Sequence, residues 1–129
     1  MKKDEYYHHL TNAFSWMNQL TEKREEVQKS ELERFFTEDL EICTNNQPLI
    51  GLDKFHQHLK ESLSQYIHSK VLFPFKAYLS DSKKAVLYYL LRSTTMDEEV
   101  FDYCVMSMFK FRNGKISSWI EVVSEIAKK

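Results

Sequence analysis

Glycine and proline are scarce in this chain, with two of each among 129 residues. There is little material for flexible linkers and none for a Gly-rich phosphate loop, so nucleotide binding has no support. Cysteine is equally rare. Cys43 and Cys104 form no CxxC pair, and each falls inside an apolar strand-like run. Two reduced, buried thiols are expected, and neither a disulfide nor a catalytic thiol. Charge of one sign is lacking as well. With 18 basic and 19 acidic residues the net charge is −1, which leaves no basic surplus to neutralise phosphates. Nucleic acid is therefore not an expected partner. No run approaches the roughly 18 apolar residues of a membrane span. Residues 1–5 turn acidic without the apolar stretch of a signal peptide. No membrane association is expected, and the cytoplasm is the default address.

What the chain does have is apolar and aromatic bulk. Hydrophobic residues make up 43%, enough for a packed core, and residues 1–129 suit a single domain. Nine Phe and seven Tyr bring the aromatic share to 14% with the tryptophans, which suits a dense core, an apolar cavity or an interface. The histidines are His8, His9, His56, His58 and His68, and no HExxH or HxH-plus-carboxylate spacing joins them. Neither a metal nor a cofactor is expected.

Periodicity sets the order of elements. Tyr7, Leu10, Phe14 and Met17 recur at helical spacing, with Ala13 and Leu20 widening the stripe. Residues 21–29 are charged and read as solvated. Ser30 and Glu33 have capping-box spacing before a second helix carrying Leu32, Phe35 and Phe36. Residues 39–44 alternate as a short strand with Leu40 and Ile42 on one side, and residues 45–48 read as a turn. A third helix is expected from Gly51 or Asp53, with Leu52, Phe55, Leu59, Leu63 and Tyr66 as its buried stripe. The period then changes to two. Strands are expected over residues 71–79, 85–95, 100–111 and 116–126. Pro74 places the first of them at an edge or a bulge, and Asn113-Gly114 makes a tight hairpin before the last. Long strands joined by short turns pair antiparallel, and three amphipathic helices are available to cover one face.

This pattern resembles the NTF2-like superfamily, in particular its SnoaL-like and ketosteroid-isomerase-like branch. The resemblance rests on Phe35-Phe36-Thr37-Glu38-Asp39-Leu40, then Pro48-Leu49-Ile50-Gly51 opening a helix, then Phe109-Lys110-Phe111-Arg112-Asn113-Gly114-Lys115-Ile116. It spans nearly the whole chain in the right order. It implies an α+β cone: a curved mixed or antiparallel sheet wrapped around the N-terminal and central helices, with a pocket at the wide end. Many such proteins form dimers through the outer face of the sheet, and their functions range from isomerases to pure binding modules, so the fold does not settle function. Isomerases of that branch use a first-strand carboxylate base with a tyrosine and a protonated acid as donors. The corresponding positions fall near Thr44, near Trp16 or Met17, and on Ser107. Enolisation by that dyad is not supported.

By the same resemblance Tyr103, Val105, Ser107, Phe109 and Phe111 look inward, as do Ser117, Trp119, Glu121 and Val123. Glu121 beside Trp119 is then a desolvated carboxyl and the candidate acid–base group, with His56 as a candidate partner. An ion-paired Glu121 at a wet pocket mouth is the alternative. Trp16, Trp119 and Phe109 are candidate walls for an apolar ligand, and Thr44, Tyr88, Tyr103 and Ser107 its polar contacts; each has an ordinary core role as the alternative. The outward residues Cys104, Met106, Met108, Ile120 and Val122 form an apolar strip, expected to be hidden by a homodimer, with cover by a helix or the C-terminal segment as the alternative. Three functions follow: a homodimeric domain that binds a small apolar molecule, with or without acid–base chemistry at Glu121; a non-catalytic interaction module whose pocket is filled by its own rings; or a SnoaL-like cyclase or isomerase.

Overall fold

Strong alternation over the second half of the chain builds long strands, and their turns decide how they pair. The computed structural model describes residues 3–23 and 26–126. Helix α1 (Lys3–Lys23) is followed by a single turn of helix α2 (Lys29–Leu32), strands β1 (Phe36–Thr44) and β2 (Gln47–Ile50), and helix α3 (Leu52–Gln65). Four strands complete the chain: β3 (Tyr66–Ser80), β4 (Lys84–Thr95), β5 (Val100–Arg112) and β6 (Lys115–Glu125). All six strands form one mixed, curved sheet in the order β2-β1-β6-β5-β4-β3. Strands β3 to β6 are an antiparallel meander, and β1 joins β6 in parallel. This is the expected α+β architecture.

The helices lie on one face. Leu10 and Phe14 of α1 and Leu52 and Phe55 of α3 meet Leu40, Leu87, Val105, Phe109, Ile116 and Trp119 of the sheet in one buried cluster. Strand β3 contains Pro74 and pairs only with β4. Their register breaks between Leu72 and Ala77, so the strand is both an edge and irregular, as a proline without an amide hydrogen requires.

Several local readings are corrected. Strand β2 occupies positions read as turn. Only Asn45 and Asn46 turn, with φ of 48° and 68°, and Thr44 already pairs with Gln47. Two successive positive φ values make the compact hairpin that asparagine tolerates. Residues 21–29 are not uniformly solvated, since Thr21 and Val27 are buried; residues 24 and 25 lie outside the described part. In α1 it is Tyr6, not Tyr7, that enters the core, because the stripe rotates by one position at the helix start. The capping box is not formed: Gln28 occupies the cap of α2 without a side-chain bond, Ser30 lies inside the turn, and Phe36 begins β1. Tyr66 opens β3 and does not close α3. Both cysteines are free, but they are half-buried and not fully enclosed.

Candidate functional site

Between α3, the C-terminal half of α1 and the concave face of the sheet lies a cavity of about 410 Å³. Phe14, Met17, Asn18 and Thr21 of α1 form one wall, and Phe55, His58, Leu59 and Leu63 of α3 another. The hairpin of β1 and β2 adds Ile42, Thr44, Gln47 and Leu49. Strands β4 to β6 contribute Tyr89, Leu91, Val105, Trp119, Glu121 and Val123.

Register places the polar groups. The parallel pairing of β1 with β6 sets Thr44 beside Glu121, and the Thr44 hydroxyl donates to Glu121 Oε2 at 2.8 Å. In the β5–β6 pair Ser107 lies opposite Glu121. Ser107 Oγ accepts from the Trp119 indole N–H at 3.2 Å and bonds the Tyr89 hydroxyl at 3.2 Å. Asn45 fixes this corner: its amide N–H donates to the Glu121 carbonyl, and its side chain bonds both the N–H and the C=O of Val123.

Burial pushes the Glu121 carboxyl above the ordinary glutamate range; the hydrogen bonds from Thr44 and Trp119 pull it back only in part. Burial, reinforced by the Glu121 charge, pushes the Tyr89 phenol well above its usual range, so Tyr89 acts as a neutral hydroxyl. Among the described residues Glu121 joins no ion pair. Among the described residues no lysine or arginine lines the cavity. A raised carboxyl in an apolar wall exchanges its proton closer to neutrality than an exposed one, which is what general acid–base work needs.

The same shift has a consequence for stability. In the folded chain Glu121 holds its proton to higher pH than in the unfolded chain. Its ionisation therefore removes stability as pH rises from about 4.5 through the raised value. Glu121→Gln is expected to match the parent chain in acid and to surpass it at neutral pH. Urea unfolding across a pH series checks this. A parent chain that gains on the variant as pH rises would show the carboxylate to be favoured by the fold.

Of the residues singled out from the sequence, Thr44, Trp119 and Glu121 line the cavity. Ser107 lies behind it, fully buried, as the link between Trp119 and Tyr89. Phe109 is packed in the core against Phe14 and Trp119. Trp16 donates to Glu31 Oε2 at 2.7 Å and stands over Phe35, outside the cavity. Tyr103 is half-buried near the far end of β5, and burial raises its phenol. Tyr88 points to the opposite, outer face of the sheet. His56 Nε2 bonds the Val27 carbonyl at 2.6 Å, and His58 is the histidine that lines the cavity. The residues missed from the sequence are Tyr89, His58 and Asn18. One signal was available for Tyr89: it shares a face with Ala85 and Leu87, the more apolar parity of β4. Among the described residues no group of three or more His, Cys, Asp or Glu has the geometry to hold a metal ion.

No family model and no curated protein matches the sequence. Solved structures do match in shape. An NTF2-like protein of unknown function from Exiguobacterium superposes with a TM-score of 0.76 at 15% identity, over 90% of this chain and 98% of that one. An NTF2-like protein from Anabaena variabilis gives 0.74 at 15% identity, over 99% and 94%. A candidate polyketide cyclase from Xanthomonas campestris gives 0.77 at 11% identity, over 93% and 90%. The chain has the NTF2-like fold. Identity this low carries the likeness of architecture and nothing finer. Thr44 and Ser107 carry no carboxyl, and the carboxyl at this corner of the cavity is that of Glu121 on β6. Among the described residues no helix is long and apolar enough to cross a membrane.

Proposed function

We propose that this NTF2-like domain binds a small, largely apolar molecule in the cavity and exchanges a proton with it through Glu121. One observation carries the reading: a carboxyl with no cationic partner among the described residues stands in the wall of an apolar cavity of about 410 Å³. That volume lies toward the small end of the range for ligand pockets, on the order of 300–1,000 Å³. Thr44 orients the carboxyl, and Trp119 forms the flat wall beside it. Tyr89 offers a hydroxyl to the ligand, held in place by Ser107. Trp16, His56, Tyr88, Tyr103 and Phe109 have no part in this reading, since each is engaged elsewhere. The structural likeness to a candidate polyketide cyclase is consistent with it. An interaction module with a self-filled pocket is less well supported, because the rings do not close the space.

The outer face of the sheet supports a homodimer. Met106, Ile120 and Val122 are exposed there, beside half-buried Cys104 and Met108. With Val86 and Tyr88 they line a shallow apolar depression, which a second copy packed sheet to sheet would remove from water. Native mass spectrometry of freshly purified protein tests both parts. A dimer carrying a non-covalent small molecule is expected. Met106→Glu, which would bury a charge at the centre of the contact, is expected to give monomers by light scattering. Monomeric parent protein would overturn the dimer. Protein that arrives empty and takes up no fragment, judged by the Trp119 indole resonance, would overturn the ligand-binding reading.

A further inference from the structure

This inference rests on the cavity being a ligand site and concerns the class of ligand it takes. Among the described residues Glu121 is the only carboxylate lining the cavity, and the groups that bond it, Thr44 and Trp119, are neutral. The other titratable groups facing it are His58 from α3 and Tyr89 from β4. Hydrogen bonds from neutral donors reduce the cost of a buried carboxylate but supply no opposite charge. The cavity is also ringed by aromatics: Phe14, Phe55, Tyr89 and Trp119 all contribute to its wall. Their mutual geometry is that of a connected cluster, with Phe14 and Trp119 centroids 5.6 Å apart and Phe55 and Trp119 6.1 Å apart, both edge to face. Aromatic rings attract organic cations and do little for anions. An anionic ligand would meet the Glu121 charge with no lysine or arginine among the described lining residues to offset it.

We infer that the cavity selects a protonated amine on a compact apolar body, with the ammonium against Glu121 and the rings of Phe14, Phe55, Tyr89 and Trp119, and the hydrocarbon against Leu59, Leu63 and Val105. The ligand then supplies the counter-charge that the described lining residues do not. Affinity for an amine must rise with pH as Glu121 ionises, and fall only when the amine itself becomes neutral. A neutral ligand that accepts a hydrogen bond from protonated Glu121 has the opposite slope, because its donor disappears as pH rises.

Matched pairs of equal shape separate these cases: cyclohexylmethylamine with cyclohexylmethanol, adamantylamine with adamantanol, naphthylmethylamine with naphthylmethanol. Each is titrated calorimetrically into the whole chain from mildly acidic to mildly alkaline pH, and into Glu121→Gln. Amines of at least one pair are expected to bind about tenfold or more tighter than their alcohols in mild alkali, with affinity rising with pH, and the gap should close in Glu121→Gln. The pH slope in the parent chain is independent of whether that variant folds. Alcohols binding as tightly as their amines, or an amine preference that survives Glu121→Gln, would overturn the amine assignment and leave the ligand cavity standing. Binding of no compound from any pair would count against both.

Discussion

Phe109→Ala is expected to lower the free energy of unfolding by about 3–5 kcal/mol, a large part of the roughly 5–15 kcal/mol that holds a domain of this kind together. Phe109 is wholly enclosed on β5. Its cross-strand neighbours are Ala85 on β4 and Trp119 on β6. Its ring lies 5.4 Å from that of Trp119 and 6.1 Å from that of Phe14. Ala85 is too small to fill the space left behind, and Trp119 is held by its bond to Ser107. The void would therefore persist, which puts the cost toward the upper end for such truncations. Urea unfolding with an unchanged m value measures it. Lys110→Ala, one residue along on the exposed face, is the control and should change stability by no more than about 0.5 kcal/mol. A loss below about 1 kcal/mol for Phe109→Ala would mean that the inner face of β5 has been assigned to the wrong parity.

Asn18→Leu is expected to cost about 2–4 kcal/mol, although the replacement is apolar and similar in size. Asn18 acts as a strand in miniature. Its Nδ2 donates to the Val71 carbonyl at 2.9 Å, and its Oδ1 accepts from the Val71 N–H at 2.8 Å. Val71 is nearly buried on β3, so leucine would leave two main-chain groups without partners. Thr21, one turn further along α1, adds a weaker tie by accepting from the Ser69 N–H at 3.3 Å. Together they hold the helix to the edge strand at the rim of the cavity. Stability measures the global effect, and hydrogen exchange at the Val71 amide the local one. In Asn18→Leu that amide should exchange faster than its β3 neighbours. Unchanged protection would show that the strand needs no help from the helix.

The architecture was legible in the sequence wherever a period of two ran long enough to show. In strand β5, alternation separates Val105, Ser107 and Phe109 from Met106, Met108 and Lys110; the resemblance chose the first set as inward, and the structure buries it. That parity, carried across the Asn113-Gly114 hairpin, also places Trp119 and Glu121 on the concave side. Short elements gave no comparable signal. Strand β2 has four residues including Pro48, and its existence depends on pairing with β1, a contact that no local pattern reveals. The single turn of α2 is likewise set by its surroundings. The polar links of the cavity were only half visible. Glu121 is found by counting along one strand, but its bond to Thr44 joins residues 77 positions apart through a parallel pairing. His56 and His58 are separated by two positions on a helix, which turns them to different sides. Periodicity alone did not say which side was empty, because Leu59 and Leu63 extend the apolar stripe to both.

Both prolines of the chain lie in the two strands that bound the sheet, Pro48 in β2 and Pro74 in β3. Each margin therefore lacks a hydrogen-bond donor where an incoming strand from another molecule would seek one, and β3 is further interrupted by its break in register. Growth by addition of a seventh strand is disfavoured at both ends. A concentrated solution of this protein is therefore expected to resist forming fibrils.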